Sequence, residues 1–418
     1  MSIEMYGKKT PLLNQIRLRI LVISQYFYPE NFRINDLCYG LKDNGHDVTV
    51  LTGKPNYPNG QFYKGYSFIN KRKEVINGIN VYRSSLIPRG SGSGFMLFVN
   101  YISFVFFGFF KLFFIKEKFD KIFVYAPSPI TVGYLGAFAS FIFRAKSYLW
   151  VHDLWPESVK DAGGVDNKII LTLINIMTKS IYYFYNNILV QSPNFKDYLI
   201  DQGVDEKKII YYPYYAESFY DIVNPKPRVK QFFPKGLNIL FAGNIGVAQS
   251  FDTIIEAVKI ISKKISNFNI IILGDGRDKK RVLTKINAIN LKNHFKFLGS
   301  YPPEQMADFF ASADALLVTL KKSKIFSMTI PGKLQSYLAC GRPIIGSLDG
   351  VGAKIIQESY CGYVSPSEDY KGLAESIISF EKLSVEERLK LGLNSRKYFE
   401  KEFKRDKLLL KLIDIFNQ

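Results

Sequence analysis

Residues 19–24 read Arg-Ile-Leu-Val-Ile-Ser and residues 46–52 read His-Asp-Val-Thr-Val-Leu-Thr, with a predicted helix at 35–44 between them. Both runs are rich in β-branched residues and are too apolar to leave one face in water. Such runs predict parallel strands that are covered by helices on both faces. Further runs of the same kind, each beside a predicted helix, lie at 121–125, 147–151 and 187–190. The chain is therefore predicted to belong to the α/β class.

The strand and helix pattern stops at residues 223–236, where three prolines and four basic residues predict a linker. It begins again with strands predicted at 237–242, 269–273, 295–298, 315–318 and 343–345. We therefore predict two Rossmann-like, doubly wound domains that face each other across a cleft, at 1–222 and 237–394. A C-terminal helix is predicted within 395–418, and its return to the N-terminal domain is left open. Ligands of such sheets bind beyond the carboxyl ends of the strands.

The composition limits the classes of partner. The 418 residues include 56 Lys and Arg against 37 Asp and Glu, which gives a net charge of +19. This excess favours nucleic acid, an anionic membrane surface or a phosphate-rich substrate as the partner. The three cysteines and three histidines lie far apart, so neither a disulfide framework nor a zinc site is predicted. The sparse cysteines lead us to expect a protein of the reducing cytoplasm. The apolar run at 18–23 lacks a cleavage site and is therefore interpreted as a first buried strand and not as a secretory signal.

Residues 95–115 form one apolar segment, FMLFVNYISFVFFGFFKLFFI, whose polar residues are Asn100, Ser103 and Lys111. Its length is close to the ~20 residues that a helix needs to span a bilayer. A span is the least favoured interpretation, because the sequences on both sides read as one continuous domain. Two other interpretations are equally favoured. One is a helix that lies in the membrane interface, which suits three polar residues near one face, and the other is an ordinary core helix.

A polar pair follows the predicted strand at 147–151. His152 is able to hydrogen-bond a substrate and to titrate near neutral pH, and Asp153 is able to take a proton or orient a hydroxyl group. The alternative is structural, with Asp153 as the cap of the next turn and His152 as a satisfied polar residue. The position at the end of a strand favours the functional interpretation.

Glycine-rich turns follow two strands of the second half. Gly243 and Gly246 come directly after the strand at 237–242, where close backbone approach and a following helix N-terminus suit a phosphate. The spacing fits neither the dinucleotide fingerprint nor a P-loop, and a plain strand-to-helix turn is equally favoured. The same pattern returns after the next strand at Gly274, Asp275 and Gly276.

A lysine near the start of a predicted short helix needs an explanation. Lys333 follows Pro331 and Gly332, and Gly341 closes the helix. The helix dipole disfavours a cation at this end. An anionic ligand at the same place would compensate for that unfavourable position.

Together these motifs resemble the family 4 glycosyltransferases of the GT-B fold over nearly the whole chain, from Arg19 to the last helix. Within that family the chain is most similar to bacterial O-antigen and colanic-acid enzymes of the L-fucosamine transferase type. The segments that carry the resemblance lie at 24–31, 152–158, 243–249, 274–276 and 331–343. Each segment alone is only weakly specific for the family, but the order of all five along the chain is quite specific.

The resemblance implies a UDP-sugar donor bound by the C-terminal half and a lipid-pyrophosphate-linked sugar acceptor met by the N-terminal half. It also implies retention at the anomeric carbon, no cofactor, no metal, and a peripheral location at the cytoplasmic face of the inner membrane. In such enzymes basic side chains and a helix N-terminus stabilise the leaving diphosphate. By resemblance, Lys333 takes that catalytic role, and His152 or Asp153 lies beside the reacting sugar.

The resemblance assigns two further sets of residues. The donor side comprises Gly243, Asn244, Gly246, Gln249, Gly274, Asp275, Gly276, Leu298, Met328 and Ser336. The acceptor side comprises Tyr28, Glu30, Asn31 and Arg33, in the loop after the first strand.

The sequence departs from the family at the donor site. Members usually carry two glutamates eight residues apart, and these positions are Met328 and Ser336 here. A lysine that is common after the phosphate turn is replaced by Gln249. We expect Met328, with Ile325 and Phe326, to form an apolar pocket for the methyl group of a deoxy sugar such as N-acetyl-L-fucosamine.

The missing glutamates keep a second class of function open, a catalytically inactive GT-B subunit that scaffolds a polysaccharide assembly complex. A nucleotide-sugar epimerase, which shares this fold, is a third interpretation. Nucleic-acid binding is disfavoured, because the phenylalanines are gathered in one apolar block instead of alternating with basic residues.

Overall fold

The computed structural model describes residues 16–161 and 164–418. Over these residues the chain divides into two compact units. Unit 1 contains the described residues up to Gln191, with Phe195–Tyr212 and Leu409–Gln418, and unit 2 contains Ser192–Asn194 and Pro213–Leu408. Each unit is built on a largely parallel sheet whose strands are joined by helices. The prediction of an α/β chain with two doubly wound, Rossmann-like halves is confirmed.

The sheet of unit 1 is mixed. Its described strands are β1 (Arg19–Ile23), β2 (Asp47–Gly53), β3 (Lys73–Ile76), β4 (Ile79–Ser84), β5 (Lys121–Ala126), β6 (Lys146–Val151), β7 (Asn187–Val190) and β8 (Ile209–Tyr211). Their order is β3-β4-β2-β1-β5-β6-β7-β8, and all neighbours are parallel except the β3–β4 pair. The order reverses between β1 and β5. The carboxyl ends of these two strands therefore mark the switch point at which a doubly wound sheet binds ligands.

The antiparallel hairpin β3–β4 is absent from the sequence prediction, although its turn carries a recognisable signal. Asn77 and Gly78 connect the two strands with φ angles of 47° and 73°. Positive φ at both central residues is what a tight type I′ hairpin turn requires, and Asn-Gly is the preferred pair. Because β3 lies at the sheet edge and is partly exposed, it lacks the apolar run that marks the buried strands.

The helices of unit 1 include the phenylalanine-rich segment. Their described bounds are α1 (Arg33–Asp43), α2 (Gly94–Leu112), α3 (Val132–Phe143), α4 (Glu157–Asp161), α5 (Lys168–Tyr183) and α6 (Pro193–Asp201). By length and composition α2 is able to cross a membrane. Its first turn is capped by Ser93, whose hydroxyl accepts a hydrogen bond from Met96 N.

The polar face of α2 is turned toward the protein. Asn100 is fully buried, accepts a hydrogen bond from Gln25 Nε2 at 2.7 Å and donates to the Ile87 carbonyl at 2.6 Å. Ser103 accepts from Ile87 N at 2.9 Å. The opposite side, which we call the α2 outer face, consists of exposed apolar side chains on the helix and just after it: Phe95, Phe98, Ile102, Phe106, Phe110, Phe113 and Phe114. The helix therefore presents its apolar residues, not its polar ones, to the solvent.

Unit 2 has a fully parallel sheet. Its described strands are β9 (Leu237–Ala242), β10 (Phe268–Leu273), β11 (Phe295–Gly299), β12 (Ala315–Thr319), β13 (Ile344–Ser347) and β14 (Gly362–Ser365). They lie in the order β11-β10-β9-β12-β13-β14. The order reverses between β9 and β12, which gives unit 2 a switch point of its own.

The predicted linker is a packed part of unit 2. The described helices that follow the entry of the chain into this unit are α7 (Pro227–Lys230), α8 (Phe251–Ile261), α9 (Lys279–Ala288), α10 (Met306–Ser312), α11 (Lys324–Met328), α12 (Gly332–Ala339), α13 (Gly350–Ser359), α14 (Tyr370–Glu381) and α15 (Val385–Glu402). Unit 2 begins at Pro213, ahead of residues 223–236. Val229 of α7 is buried in its core, and Lys226 Nζ pairs with Asp308 at 2.8 Å. These contacts bind the segment to unit 2 and explain the difference from the predicted boundary.

The C-terminal segment, predicted as one helix, forms two. Helix α15 ends at Glu402, and α16 spans Arg405–Asn417. Phe403, between them, is the C-cap of α15 and is buried in the core of unit 2. From Leu409 onward the chain belongs to unit 1, where the Phe416 ring lies 4.9 Å from that of Tyr148.

Candidate active site

The glycine turn after β9, residues 243–249, lies at the switch point of unit 2. We call it the Gly243 turn. Gln249 N donates to the Gly246 carbonyl at 3.0 Å and closes the turn. Thr319, the last residue of β12, donates its hydroxyl to the Gln249 carbonyl at 2.5 Å. The turn is thus held between the two strands at which the sheet order reverses, the position at which such sheets bind ligands.

Three strand-end turns are stacked side by side along this edge. Gly243 N donates to the Leu273 carbonyl at 2.9 Å, and Gly274 N donates to the Gly299 carbonyl at 2.8 Å. A Cβ atom on Gly274 would collide with the Gly243 carbonyl oxygen, and its φ of 134° also favours glycine. The structure therefore brings together predicted donor residues from the ends of β9 and β10.

Lys333 reaches the Gly243 turn from α12. Its Nζ donates to Gln249 Oε1 at 2.6 Å and lies 3.8 Å from the centre of the Phe241 ring. A Cβ atom built on Gly243 would lie 3.2 Å from the same Nζ, so the amine occupies the space beside Gly243 that a side chain would need. Burial lowers the pKa of Lys333 to about 7. Among the described residues this amine has no carboxylate partner, and an anion bound at the turn would supply one.

Two residues that support this site were missed in the sequence. Tyr337 lies one turn after Lys333, and its hydroxyl accepts from Ala242 N at 2.9 Å, which fixes the last residue of β9. Gly350 begins α13 after β13, and its backbone packs directly on the Ser327 carbonyl. A tyrosine four residues after a lysine reads as a core residue of a helix. No local signal relates it to a strand 95 residues away.

The other donor-side residues are more scattered. Asn244 and Asp275 are exposed, and Gly276 N donates to the Asp275 carboxylate at 2.8 Å. Leu298 packs on the core of unit 2. Met328 and Ser336 are both buried, and neither side chain carries a charge.

His152 and Asp153 follow β6 and occupy different environments. His152 is buried, with the Trp150 ring 4.2 Å and the Tyr125 ring 4.8 Å away. Burial, and next the positive charge of Arg33, lower the pKa of His152 well below 6.5, so the imidazole is neutral. Burial raises the pKa of the Asp153 carboxyl to about 7. Of the two, Asp153 is the better suited to exchange a proton near neutral pH.

The predicted acceptor-side residues lie between β1 and the start of α1. Glu30 is buried, and its Oε1 accepts from Asn56 N at 2.8 Å and from Tyr57 N at 2.7 Å. Burial raises the pKa of Glu30 to about 7, against the lowering effect of these N–H groups. Tyr28 and Asn31 are exposed. Glu30 therefore holds the backbone of the loop after β2, whereas Tyr28 and Asn31 are accessible.

The described residues contain no group of three or more His, Cys, Asp or Glu side chains that could hold a metal ion. Cys38, Cys340 and Cys361 are buried and free. Burial raises the pKa of the Cys340 thiol to about 12, so this thiol is protonated at neutral pH.

Solved structures share this fold at low sequence identity. Sucrose-phosphate synthase from Thermosynechococcus elongatus gives a TM-score of 0.76 at 18% identity, over 96% of this chain and 99% of that one. Anabaena Alr3699/HepE, solved in complex with UDP and glucose, gives 0.68 at 14% identity, over 96% of this chain and 100% of that one. These similarities establish the fold.

Two family models match the chain, one in each half. Residues 32–213 match the model described as Glycosyltransferase Family 4, and residues 224–398 match the model described as Glycosyl transferases group 1. The chain belongs to the GT-B glycosyltransferases. In this glycosyltransferase the Gly243 turn and Lys333 lie within the second match, and Asp153 lies within the first.

Relatives of this glycosyltransferase include proteins named for polysaccharide synthesis. WbjE of Pseudomonas aeruginosa, named as a glycosyltransferase, is 25% identical over 245 residues, which are 56% of this chain and 59% of WbjE. WcaI of Escherichia coli K12, named for colanic acid biosynthesis, is 24% identical over 373 residues, 85% of this chain and 88% of WcaI. The match therefore spans about three fifths of the length of WbjE and most of WcaI.

Proposed function

We propose that this glycosyltransferase moves one sugar from a UDP-sugar to a polyprenyl-pyrophosphate-linked sugar acceptor during assembly of an O-antigen or similar surface polysaccharide. The observation that carries the proposal is the Lys333 amine, held 2.6 Å from Gln249 at the switch point of unit 2. A positive group fixed where a diphosphate departs stabilises the charge that develops in the transition state. HepE, which has the same fold, was solved with UDP, and this supports uridine diphosphate as the leaving group.

The proposed donor sugar is a deoxy amino sugar of the N-acetyl-L-fucosamine type. Met328 and Ser336 occupy the positions at which the family's glutamates contact the donor, and neither is able to accept a hydrogen bond as a carboxylate does. Ile325, on the same short helix as Met328, is also buried. An apolar wall favours a methyl group over a hydroxyl group at the matching position of the sugar.

A panel of donors tests the reaction and the sugar together. Purified protein is mixed with a lipid-pyrophosphate-N-acetylglucosamine acceptor and single UDP-sugars without added metal, and products are read by mass. We expect UDP-N-acetyl-L-fucosamine to react at least ~10-fold faster than UDP-glucose, which is the usual discrimination for one apolar group. Equal rates with the two donors would contradict the proposed sugar. In the Met328→Glu variant, the rates with UDP-N-acetyl-L-fucosamine and UDP-glucose should lie closer together, because a carboxylate replaces the apolar side chain.

An enzyme that acts on a membrane-bound acceptor must bind the membrane surface, and the α2 outer face is suited to such binding. Lys116 and Lys118 are exposed just after the last phenylalanines of this face. Apolar rings flanked by lysines suit an anionic bilayer, because the rings enter the headgroup region while the lysines pair with lipid phosphates. We therefore propose that the protein binds the cytoplasmic face of the inner membrane, with α2 lying in the interface.

Charge introduced into the α2 outer face should release the protein from membranes. The double variant Phe106→Glu/Phe110→Glu is expected to lower binding to phosphatidylglycerol-containing vesicles by ~10-fold or more, since two rings lose contact with the bilayer and two negative charges are added. Sedimentation with vesicles measures this. Leu389→Glu, at an exposed apolar residue of α15, is the matched control. Unchanged binding of the double variant would exclude α2 as the docking helix.

A catalytically inactive scaffold is the second candidate, and the replacement of two glutamates by Met328 and Ser336 favours it. Its prediction differs from that of the enzyme in the same donor panel. A scaffold binds the vesicles through the α2 outer face but yields no product with any donor, whereas the transferase yields a product that is heavier by one sugar.

A further inference from the structure

Arg89, which lies between β4 and α2 in the sequence, has no carboxylate partner among the described residues. It is partly buried, and its guanidinium lies over the Tyr57 ring, with Cζ 4.9 Å from the ring centroid. The fully buried Arg83 of the same unit, by contrast, pairs with Glu74 and donates to the Gly53 carbonyl at 3.1 Å. A stacked guanidinium without an ion pair is suited to bind phosphate oxygens through its parallel N–H groups.

The backbone at Arg89 is held in place by its neighbours. Arg89 N donates to Asn56 Oδ1 at 3.1 Å, and Asn56 N donates in turn to the buried Glu30 carboxylate at 2.8 Å. Gly90 N donates to the Gly60 carbonyl at 2.9 Å, and a Cβ atom on Gly60 would collide with the Gly90 carbonyl oxygen. The guanidinium is therefore presented from a fixed loop. Glu30 acts on it as a positioning residue, through Asn56.

Tyr101 of α2 lies beside Tyr26, whose ring is 5.8 Å from the Tyr57 ring on which Arg89 is stacked. Its phenol is near the side chains of Tyr26 and Ser128, and the charges of Arg89 and Asp153 both act on it. Both charges therefore act on the same hydroxyl group. Ile102, the next residue along α2, belongs to the α2 outer face.

We propose that Arg89, together with the Tyr101 hydroxyl, binds the pyrophosphate of the lipid-linked acceptor. This inference rests on the proposed function and names the site that holds its acceptor. A polyprenyl-pyrophosphate sugar is linear, with lipid, pyrophosphate and sugar in that order. Unit 1 carries a feature suited to each part: the α2 outer face for the lipid, Arg89 with Tyr101 for the pyrophosphate, and Asp153 for the sugar. A diphosphate paired with the guanidinium has its prenyl chain along the apolar rings and its sugar beside Asp153.

Binding of geranyl pyrophosphate to the full chain tests the site without any transfer reaction. Excess UDP is present throughout, so that the diphosphate site proposed at Lys333 is occupied. We expect Arg89→Gln to weaken binding, measured by calorimetry, by about 10–100-fold. Arg89→Lys should recover part of the affinity, since lysine keeps the charge without the fork of N–H groups. Arg144→Gln, at an exposed arginine of the same unit, is the matched control and should bind as the parent does.

Two further probes separate the sources of the anion. Inorganic pyrophosphate should bind more weakly than geranyl pyrophosphate and show the same loss in Arg89→Gln, and geraniol should bind equally to both proteins. Equal affinity of the parent and Arg89→Gln for geranyl pyrophosphate overturns the site and leaves the proposed transfer reaction standing. If the donor panel gives no product but binding still depends on Arg89, the proposed transfer reaction is wrong and the proposed anion site stands. Equal losses in Arg89→Gln and Arg144→Gln indicate a general charge effect and also overturn the site.

Discussion

Replacing Lys333 by methionine is expected to lower the rate constant for sugar transfer by about 10²–10³. The Lys333 amine lies beside Gly243 and donates a hydrogen bond to Gln249 Oε1 at 2.6 Å. It is therefore placed to stabilise the diphosphate as it departs, and methionine fills a similar volume without a charge. The measurement is kcat with saturating donor and acceptor, read by mass.

Lys259→Met, at an exposed lysine of α8, is the control for this substitution and should keep the parent's activity. Thermal unfolding of both variants checks that the fold is retained. A Lys333→Met protein that folds and keeps more than a third of the parent's kcat would contradict the assignment of Lys333 to the leaving diphosphate.

Replacing Asp153 by asparagine is expected to lower transfer by about 10²–10⁴ without changing binding to vesicles. Burial raises the pKa of this carboxyl to about 7, so at neutral pH it is able to exchange a proton, and an amide of the same shape is not. The comparison of transfer rate with vesicle sedimentation separates a chemical role from a role in docking.

Asp201→Asn, at an exposed carboxylate that ends α6, is the matched control. Transfer by Asp153→Asn at the parent's rate would show that this carboxyl takes no part in the chemistry. Loss of vesicle binding together with transfer would instead assign it to the docking surface.

The two substitutions also act in opposite directions on the pH dependence of stability. Lys333 has a pKa of about 7 in the folded state against 10.5 ordinarily, so the unfolded state binds more protons between these values. The free energy of unfolding therefore rises with pH across that window. Asp153 has a pKa of about 7 against 3.8 ordinarily, so the folded state binds more protons, and stability falls as pH rises from 3.8 to 7. Urea unfolding should show each slope reduced in the corresponding variant.

Much of the fold follows from local sequence. The run at 237–242 is apolar at every position but one, and it forms β9 with the predicted bounds, buried throughout. Its character depends on residue types within six positions, because a parallel strand covered on both faces has no polar face to show. The β3–β4 hairpin lacks such a run, and the Asn77-Gly78 turn is its local sequence signal. Strands at exposed edges are thus the part of the sheet that local composition predicts least well.

Much less of the site follows from local sequence. His152 and Asp153 are adjacent at the end of one strand, yet burial lowers the pKa of the first and raises that of the second. The sign differs because burial disfavours the charged form, which is the cation for a histidine and the anion for an aspartate. The extent of burial depends on Trp150, Tyr125 and other packed residues, and the dipeptide alone does not reveal it.

The sequence by itself determined the α/β class, the strands whose ends carry the site, and the glycine turns at those ends, because each depends on residue types close together in the chain. Only the tertiary structure decided that Lys333 meets Gln249, 84 residues away, and that the Arg89 guanidinium stacks on the Tyr57 ring. It also decided which face of α2 is outside. The helical period shows that α2 has two faces, but buried partners for Asn100, supplied by Gln25 and Ile87, turn the polar face inward. Hydrogen bonds between distant segments require those segments to be packed together first, and no local pattern records that packing.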